Sequence, residues 1–160
     1  MRVGFGYDVH RLTPNRRLVL GGVEIPYQRG LLGHSDADAL THAIMDALLG
    51  AAGLPDIGHY FPPDDPQYQD ISSIELLAKV KGLLSKQGYA ARNVDATVVA
   101  EEPHLAAYIT SMKQNIAQAL TLDVGEVGIK ATTSEGLGFP GRGEGIAAYA
   151  VVAIYQKQGE

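Results

Sequence analysis

The run G-I-A-A-Y-A-V-V-A-I-Y, Gly145–Tyr155, decides how the rest of the chain is arranged. Its valines, isoleucines and tyrosines favour extended structure. Ala147, Ala148, Ala150, Val151, Val152 and Ala153 place small apolar groups on both faces, which predicts a strand buried on both sides. The run is about half the length needed to span a bilayer.

Working outward, the glycine-rich segment S-E-G-L-G-F-P-G-R-G-E joins this strand to another over Gly128–Thr133. Leu105–Leu120 is predicted as a helix, with Ile109, Met112, Ile116 and Leu120 near core spacing. Asn93–Ala100 reads as a strand. Ser72–Gln87 reads as a helix, opened by Ser72-x-x-Glu75 as a capping box and stopped at Gly88. The four prolines of L-P-D-I-G-H-Y-F-P-P-D-D-P exclude helix from most of the preceding loop. Ser35–Ala52 is the strongest helix. Ser35 is expected as its N-cap, with Asp38 completing the box. Leu40, Ala43, Ile44, Ala47, Leu48 and Ala51 form one face, and Asp38, His42 and Asp46 a polar stripe opposite. Arg2–Asp8 and Arg17–Ile25 read as two strands joined through T-P-N.

The order ββααβαββ predicts a single α/β domain over residues 1–160: an α+β sandwich with one mixed β-sheet and three main helices on one face. Three helices leave the second face of the sheet bare, so an oligomer is expected.

Composition narrows the function. The chain has 160 residues, 46% hydrophobic and 19% charged, an ordinary globular balance. A net charge of −5 and the lack of a basic run argue against a nucleic-acid partner. The N-terminus lacks the apolar core of a secretion signal, so no membrane association and a cytoplasmic location are expected. Without cysteine, any metal must be held by His, Asp or Glu.

Three clusters carry chemistry. In G-Y-D-V-H, Gly6–His10, strand alternation puts Asp8 and His10 on one face. A strand end meeting water explains the pair alone. His42, mid-helix on the polar stripe, adds a third ligand of the kind catalytic zinc accepts, with the fourth position open. Asp38 or Asp46 could orient an imidazole from behind. In H-S-D-A-D, His34 and Ser35 stand at a helix start, which is either a plain cap or an anion site. In A-T-T-S-E-G-L-G-F-P-G-R-G-E-G, Ala131–Gly145, hydroxyls, glycine amides and Arg142 suit phosphate. Glu135 fits there if a second divalent cation, Mg2+ or Mn2+, lies between it and the phosphates.

G-Y-D-V-H, G-L-L-G-H-S-D-A-D, H-A-I-M-D-A-L-L-G-A-A, D-I-G-H-Y-F-P, N-V-D-A-T-V-V-A and K-A-T-T-S-E-G-L-G-F-P-G-R-G-E-G-I-A occur in order along essentially the whole chain. Together they resemble the 2-C-methyl-D-erythritol 2,4-cyclodiphosphate synthase family of non-mevalonate isoprenoid synthesis. The resemblance implies a homotrimer, with sheets packed around a threefold axis and active sites between subunits. It implies a cytidine diphosphate-linked substrate, 4-diphosphocytidyl-2-C-methyl-D-erythritol 2-phosphate, cyclised with release of CMP. Carried over, Asp8, His10 and His42 hold one Zn2+ per chain and Glu135 faces the second cation. His34 and Thr133 stabilise the transition state. Asp46, Asp56, Ile57, Gly58, Phe61 and Asp65 meet the substrate, as do Thr132, Ser134 and Phe139. Ala100–Ala106, including Pro103, His104 and Leu105, form the cytidine pocket. Two positions depart from the family's usual pattern. Pro63 stands where an acid is common, with Asp64 or Asp65 as replacements, and His104 stands where lysine is common. A metal-dependent nucleotide phosphohydrolase and a non-catalytic trimeric nucleotide-binding module are the competing readings of the same residues.

Overall fold

A computed structural model describes residues 1–157. One mixed sheet has the order β4-β1-β7-β5-β6, formed by β1 (Arg2–Pro14), β4 (Arg29–Leu31), β5 (Tyr89–Val99), β6 (Val127–Thr132) and β7 (Gly145–Gln156). β7 is central and antiparallel to both β1 and β5, while β5 and β6 run parallel. The helices α1 (Ala39–Ala52), α3 (Ser73–Lys86) and α4 (Ile109–Leu120) pack on the strands β1, β7, β5 and β6. Short helices α2 (Ile57–Tyr60) and α5 (Gly138–Gly141) interrupt the proline-rich and glycine-rich loops. The α/β sandwich with its helices over one face is as expected.

The local differences are instructive. β1 does not stop at Asp8; it runs on to Pro14, so Asp8 and His10 lie mid-strand, paired in register with Ala148 and Ile146. The expected strand Arg17–Ile25 is broken into a hairpin, β2 (Leu18–Leu20) and β3 (Val23–Ile25). Gly21 and Gly22 make the turn at φ 57° and 69°, the conformation a two-residue hairpin turn requires and β-carbon residues resist.

β7 is not buried on both sides within one chain. Ala148, Ala150, Val152 and Ile154 face the helices and are buried, whereas Tyr149, Val151 and Tyr155 face outward and are exposed. Val3, Phe5, Tyr7 and Val9 of β1 continue this bare surface, with Phe5 63% exposed. The small size of Ala147 and Ala153 hides the alternation from a reading of composition alone.

Two caps also differ. Helix α1 begins at Ala39, with Asp38 rather than Ser35 as N-cap. Asp38 is not on a solvated stripe: it is fully buried. Its carboxylate accepts from the Gly21, Gly22 and Thr41 amides and the Thr41 hydroxyl. Four donors offset the desolvation of the charge, and burial, followed by the nearby Asp36 charge, still pushes its carboxyl pKa up. At α3, Ser72 makes no side-chain cap; Asp36 accepts the Ser73 amide instead, at 2.9 Å.

Candidate active site

Gly4 and Gly6 set the site. A β-carbon on Gly6 would stand 1.9 Å from the Ala43 carbonyl oxygen, and one on Gly4 equally close to that of Ala47. Helix α1 therefore lies in backbone contact with β1, and His42 reaches the strand. Asp8 Oδ2 is 2.8 Å from His10 Nε2 and 3.2 Å from His42 Nδ1, and the two nitrogens are 3.3 Å apart. Ligand atoms of a tetrahedral zinc with bonds of about 2.0 Å stand about 3.3 Å apart.

The tautomers follow from the outer contacts. His10 Nδ1–H donates to the Leu32 carbonyl at 2.8 Å, leaving Nε2 as a lone pair. His42 Nε2 lies 2.9 Å from the Ser73 hydroxyl and 3.2 Å from that of Ser35. These partners, not Asp38 or Asp46, orient the imidazoles. With both rings neutral, Asp8 Oδ2 faces two lone pairs; among the described residues it is the buried side-chain polar atom left without a donor. A proton or a cation must fill that gap. Burial pushes the Asp8 carboxyl up, but the two imidazoles outweigh it and hold it at about 2. Burial likewise pulls His10 down, and Asp8 with the Leu32 carbonyl more than reverses this, raising it. A carboxylate and two imidazoles with their lone pairs aimed at one point fit a divalent metal.

These ligands lie in a cavity of about 230 Å3 that also contains His34, Ser35, Ile57, Gly58 and Phe61, all expected there, with Pro63, Tyr68 and Leu76. Tyr68 and Leu76 were not anticipated; their apolar character hid them among core positions. His34 Nε2–H donates to the Asp65 carbonyl at 2.8 Å, which ties the proline-rich loop over the metal ligands. Asp65 thus contributes its backbone there, while its carboxylate accepts from the Gln67 amide at 3.0 Å. Asp46 and Asp56 act on the loop backbone. Asp46 accepts the Ile57 amide at 2.9 Å, and Asp56 caps α2 by accepting the His59 amide at 3.1 Å. Burial raises Asp46 above the ordinary carboxylate range, although the Ile57 amide opposes this.

The other expected residues gather elsewhere. Ala100, Pro103, His104, Leu105, Ala106, Thr132 and Thr133 line a second cavity of about 240 Å3, which shares no lining residue with the first. The glycine-rich loop follows directly. Glu135, at φ 55°, is exposed, and the Ser134 and Gly136 amides on either side donate to Glu101 Oε1 at 2.8 and 3.3 Å. Glu101 was missed, since a lone acid after a strand carries no pattern. Phe139 lies in α5, and Arg142 pairs with Glu144 at 3.1 Å.

Fold and site define an α/β sandwich with a candidate three-ligand metal site lining a pocket. A model of the YgbB family matches residues 1–155. A protein of Syntrophomonas wolfei named 2-C-methyl-D-erythritol 2,4-cyclodiphosphate synthase is 63% identical over 156 residues, 98% of this chain and 99% of that one. A Plasmodium falciparum protein solved as a CDP complex aligns with TM-score 0.85 at 33% identity, covering 98% of this chain and 97% of its own. A bifunctional protein of Campylobacter jejuni aligns with TM-score 0.93 at 42% identity; this chain covers 42% of that longer one. The chain belongs to the YgbB family, that of the 2-C-methyl-D-erythritol 2,4-cyclodiphosphate synthases.

Proposed function

We propose that the chain converts 4-diphosphocytidyl-2-C-methyl-D-erythritol 2-phosphate to 2-C-methyl-D-erythritol 2,4-cyclodiphosphate and CMP. The observation that carries this is the convergence of Asp8, His10 and His42 in the first cavity, in a member of this family along nearly its full length. An oxygen of the substrate's 2-phosphate attacks the β-phosphorus. The bond from that phosphorus to the bridging oxygen breaks, and CMP leaves with the bridging oxygen. The nucleophile belongs to the substrate, so the protein supplies position and positive charge rather than a base.

Zn2+ on Asp8, His10 and His42, with Mg2+ or Mn2+ at Glu135, would supply charge neutralisation on the phosphate oxygens. His34, whose Nε2–H is committed to the Asp65 carbonyl, lines the first cavity beside Asp8, His10 and His42, where the transition state would form. Thr133 offers a hydroxyl in the second, where Ala100, Pro103, His104, Leu105 and Ala106 would receive a pyrimidine. The two cavities come together if the bare faces of β1 and β7 pack around a threefold axis, so that a metal pocket meets a neighbour's nucleotide pocket. Exposed Phe5, Tyr7, Tyr149 and Val151 supply the apolar surface for that trimer. Among the described residues no helix is long and apolar enough to cross a membrane, and a cytoplasmic setting suits the reading.

Phosphorus NMR of the substrate incubated with the protein, Zn2+ and Mg2+ tests it. Cyclic diphosphate and CMP in equal amounts are expected. A linear phosphate product would make the protein a hydrolase, and no turnover would leave a binding module. Light scattering at the mass of three chains is expected in the same sample, and an active monomer would refute the assembly.

A further inference from the structure

Behind the metal ligands lies a chain of contacts that runs through the first residue of helix α3 to Asp36. Asp36 Oδ1 accepts the Ser73 hydroxyl hydrogen in a short hydrogen bond. Ser73 Oγ is in turn 2.9 Å from His42 Nε2. A serine hydroxyl has one hydrogen, and an ionised carboxylate only accepts. The Ser73 hydrogen is therefore committed to Asp36, and Ser73 Oγ can meet His42 only as an acceptor. His42 must carry its proton on Nε2, which leaves Nδ1 as the lone pair facing Asp8 and His10. Ser73 is fully buried, so water does not compete for this arrangement.

We propose that Asp36, acting through Ser73, is a positioning residue that fixes the tautomer and ring plane of His42 for metal binding. This rests on the reading of Asp8, His10 and His42 as metal ligands. The polarity of the relay is enforced at both ends of the carboxylate. Asp36 Oδ2 accepts the Ser73 amide at 2.9 Å, and Oδ1 accepts the Asp38 amide at 3.2 Å besides the hydroxyl. Every neighbour of Asp36 in this contact is a donor, so an amide in its place would set a donor against a donor. If the amide nitrogen of Asp36→Asn faces Ser73 Oγ, the serine hydrogen turns toward His42 and favours the wrong tautomer.

The role is separable from helix capping. Ser73→Ala keeps the backbone amide that Asp36 caps and removes only the hydroxyl. His42 then retains the Ser35 hydroxyl, at 3.2 Å, as its remaining acceptor. Partners behind a metal ligand are worth about 10–100-fold in affinity.

The test is Zn2+ affinity by competition with a chromogenic chelator, the visible d–d spectrum of the Co2+-loaded protein, and melting of the metal-free protein. It uses the parent, Ser73→Ala, Asp36→Asn, Leu77→Ala and Asp8→Asn. Ser73→Ala is expected to weaken Zn2+ about tenfold and to alter the Co2+ bands, with a metal-free melting temperature near the parent's. Asp36→Asn should weaken Zn2+ at least as much. Leu77→Ala, a cavity in the same helix, should lower the melting temperature and leave the Co2+ bands alone. Parent-like affinity and spectrum in both Ser73→Ala and Asp36→Asn would overturn the relay while leaving the metal centre standing. Equal binding by the parent and Asp8→Asn would overturn the metal centre and the relay with it. If Ser73→Ala does not fold, parent-like Co2+ bands in Asp36→Asn suffice to refute the proposal.

Discussion

The two cavities of this chain are nearly equal in size, about 230 and 240 Å3, and are built in opposite ways. The first converges charged and ring-nitrogen atoms from a strand and a helix held in backbone contact, with each imidazole fixed from behind by a second hydrogen bond. The second is framed by the end of β5, the turn before α4 and the end of β6, and it offers mainly apolar side chains with threonine hydroxyls and His104. On the proposed function, one holds a cation and the other admits a flat heterocycle. The difference teaches where rigidity is needed. Metal ligands must be placed within tenths of an ångström, whereas a pocket for a heterocycle can be completed by another surface.

The largest expected effect falls on the first cavity. His42→Ala removes a ligand and leaves Asp8 and His10 paired only with each other. It should abolish stoichiometric zinc binding and lower turnover by roughly 100-fold or more, since loss of a direct ligand exceeds the 10–100-fold typical of a partner behind it. Metal analysis and steady-state kinetics check both. Full zinc content in His42→Ala would break the contrast between the cavities at its root.

Next is whether the two cavities serve one reaction across a subunit boundary. His42→Ala and Thr133→Ala damage opposite halves. If each site joins the metal half of one chain to the nucleotide half of its neighbour, randomly mixed trimers regain about a quarter of their sites intact. Mixing the variants after mild dissociation should therefore restore activity toward about a quarter of the parent's. No recovery, with mixed trimers verified by mass spectrometry, would place both halves within one chain. Smaller again is Glu135→Gln. It should lower turnover about tenfold at limiting Mg2+, with partial rescue at high Mg2+ and zinc content unchanged, because the exposed Glu135 carboxylate lies outside the cluster of Asp8, His10 and His42. Loss of zinc in this variant would join the two cavities chemically and defeat the distinction.

What could be seen in advance follows the same division. The face of α1 was legible because a 3.6-residue period survives any tertiary context, and Asp8, His10 and His42 were legible because ligand chemistry limits the residue types. The start of α1 was not legible. Ser35 and Asp38 are equally good caps locally, and Asp38 wins because the Gly21–Gly22 turn, far back in sequence, brings two more donors to it. Gly4 and Gly6 looked like ordinary strand residues; only the helix lying on them shows that they set the ligand distance. The orienting role of Ser73 was hidden for the same reason, since it is one of the unassigned positions inside the Ser72-x-x-Glu75 box. Contacts between elements, rather than patterns within them, account for these misses.

The smallest effect should come from Glu101, which belongs to neither cavity's chemistry yet steadies the loop after the second. Its Oε1 gathers the Ser134 and Gly136 amides, while the Ser134 hydroxyl, 3.2 Å away, lies closer to the Leu137 carbonyl at 2.6 Å. These donors, the Ser134 amide foremost, hold its carboxyl below the ordinary value of 4.5. A group whose folded pKa is depressed contributes fully above its unfolded pKa and loses its contribution as pH falls through the folded one. The grip on the loop is thus complete from about pH 4.5 upward and should not shape an activity profile near neutrality. Glu101→Gln keeps one accepting oxygen but surrenders the charge, and charge-assisted hydrogen bonds are roughly twice as strong as neutral ones. A rise of about threefold in substrate KM, with kcat within about twofold, is the expected outcome, because the loop is loosened and no reacting group is lost. Glu101→Ala, which removes the acceptor, should raise KM further in the same direction. A large fall in kcat with unchanged KM in either variant would show Glu101 acting on the chemical step, and the second cavity would then be as demanding of geometry as the first.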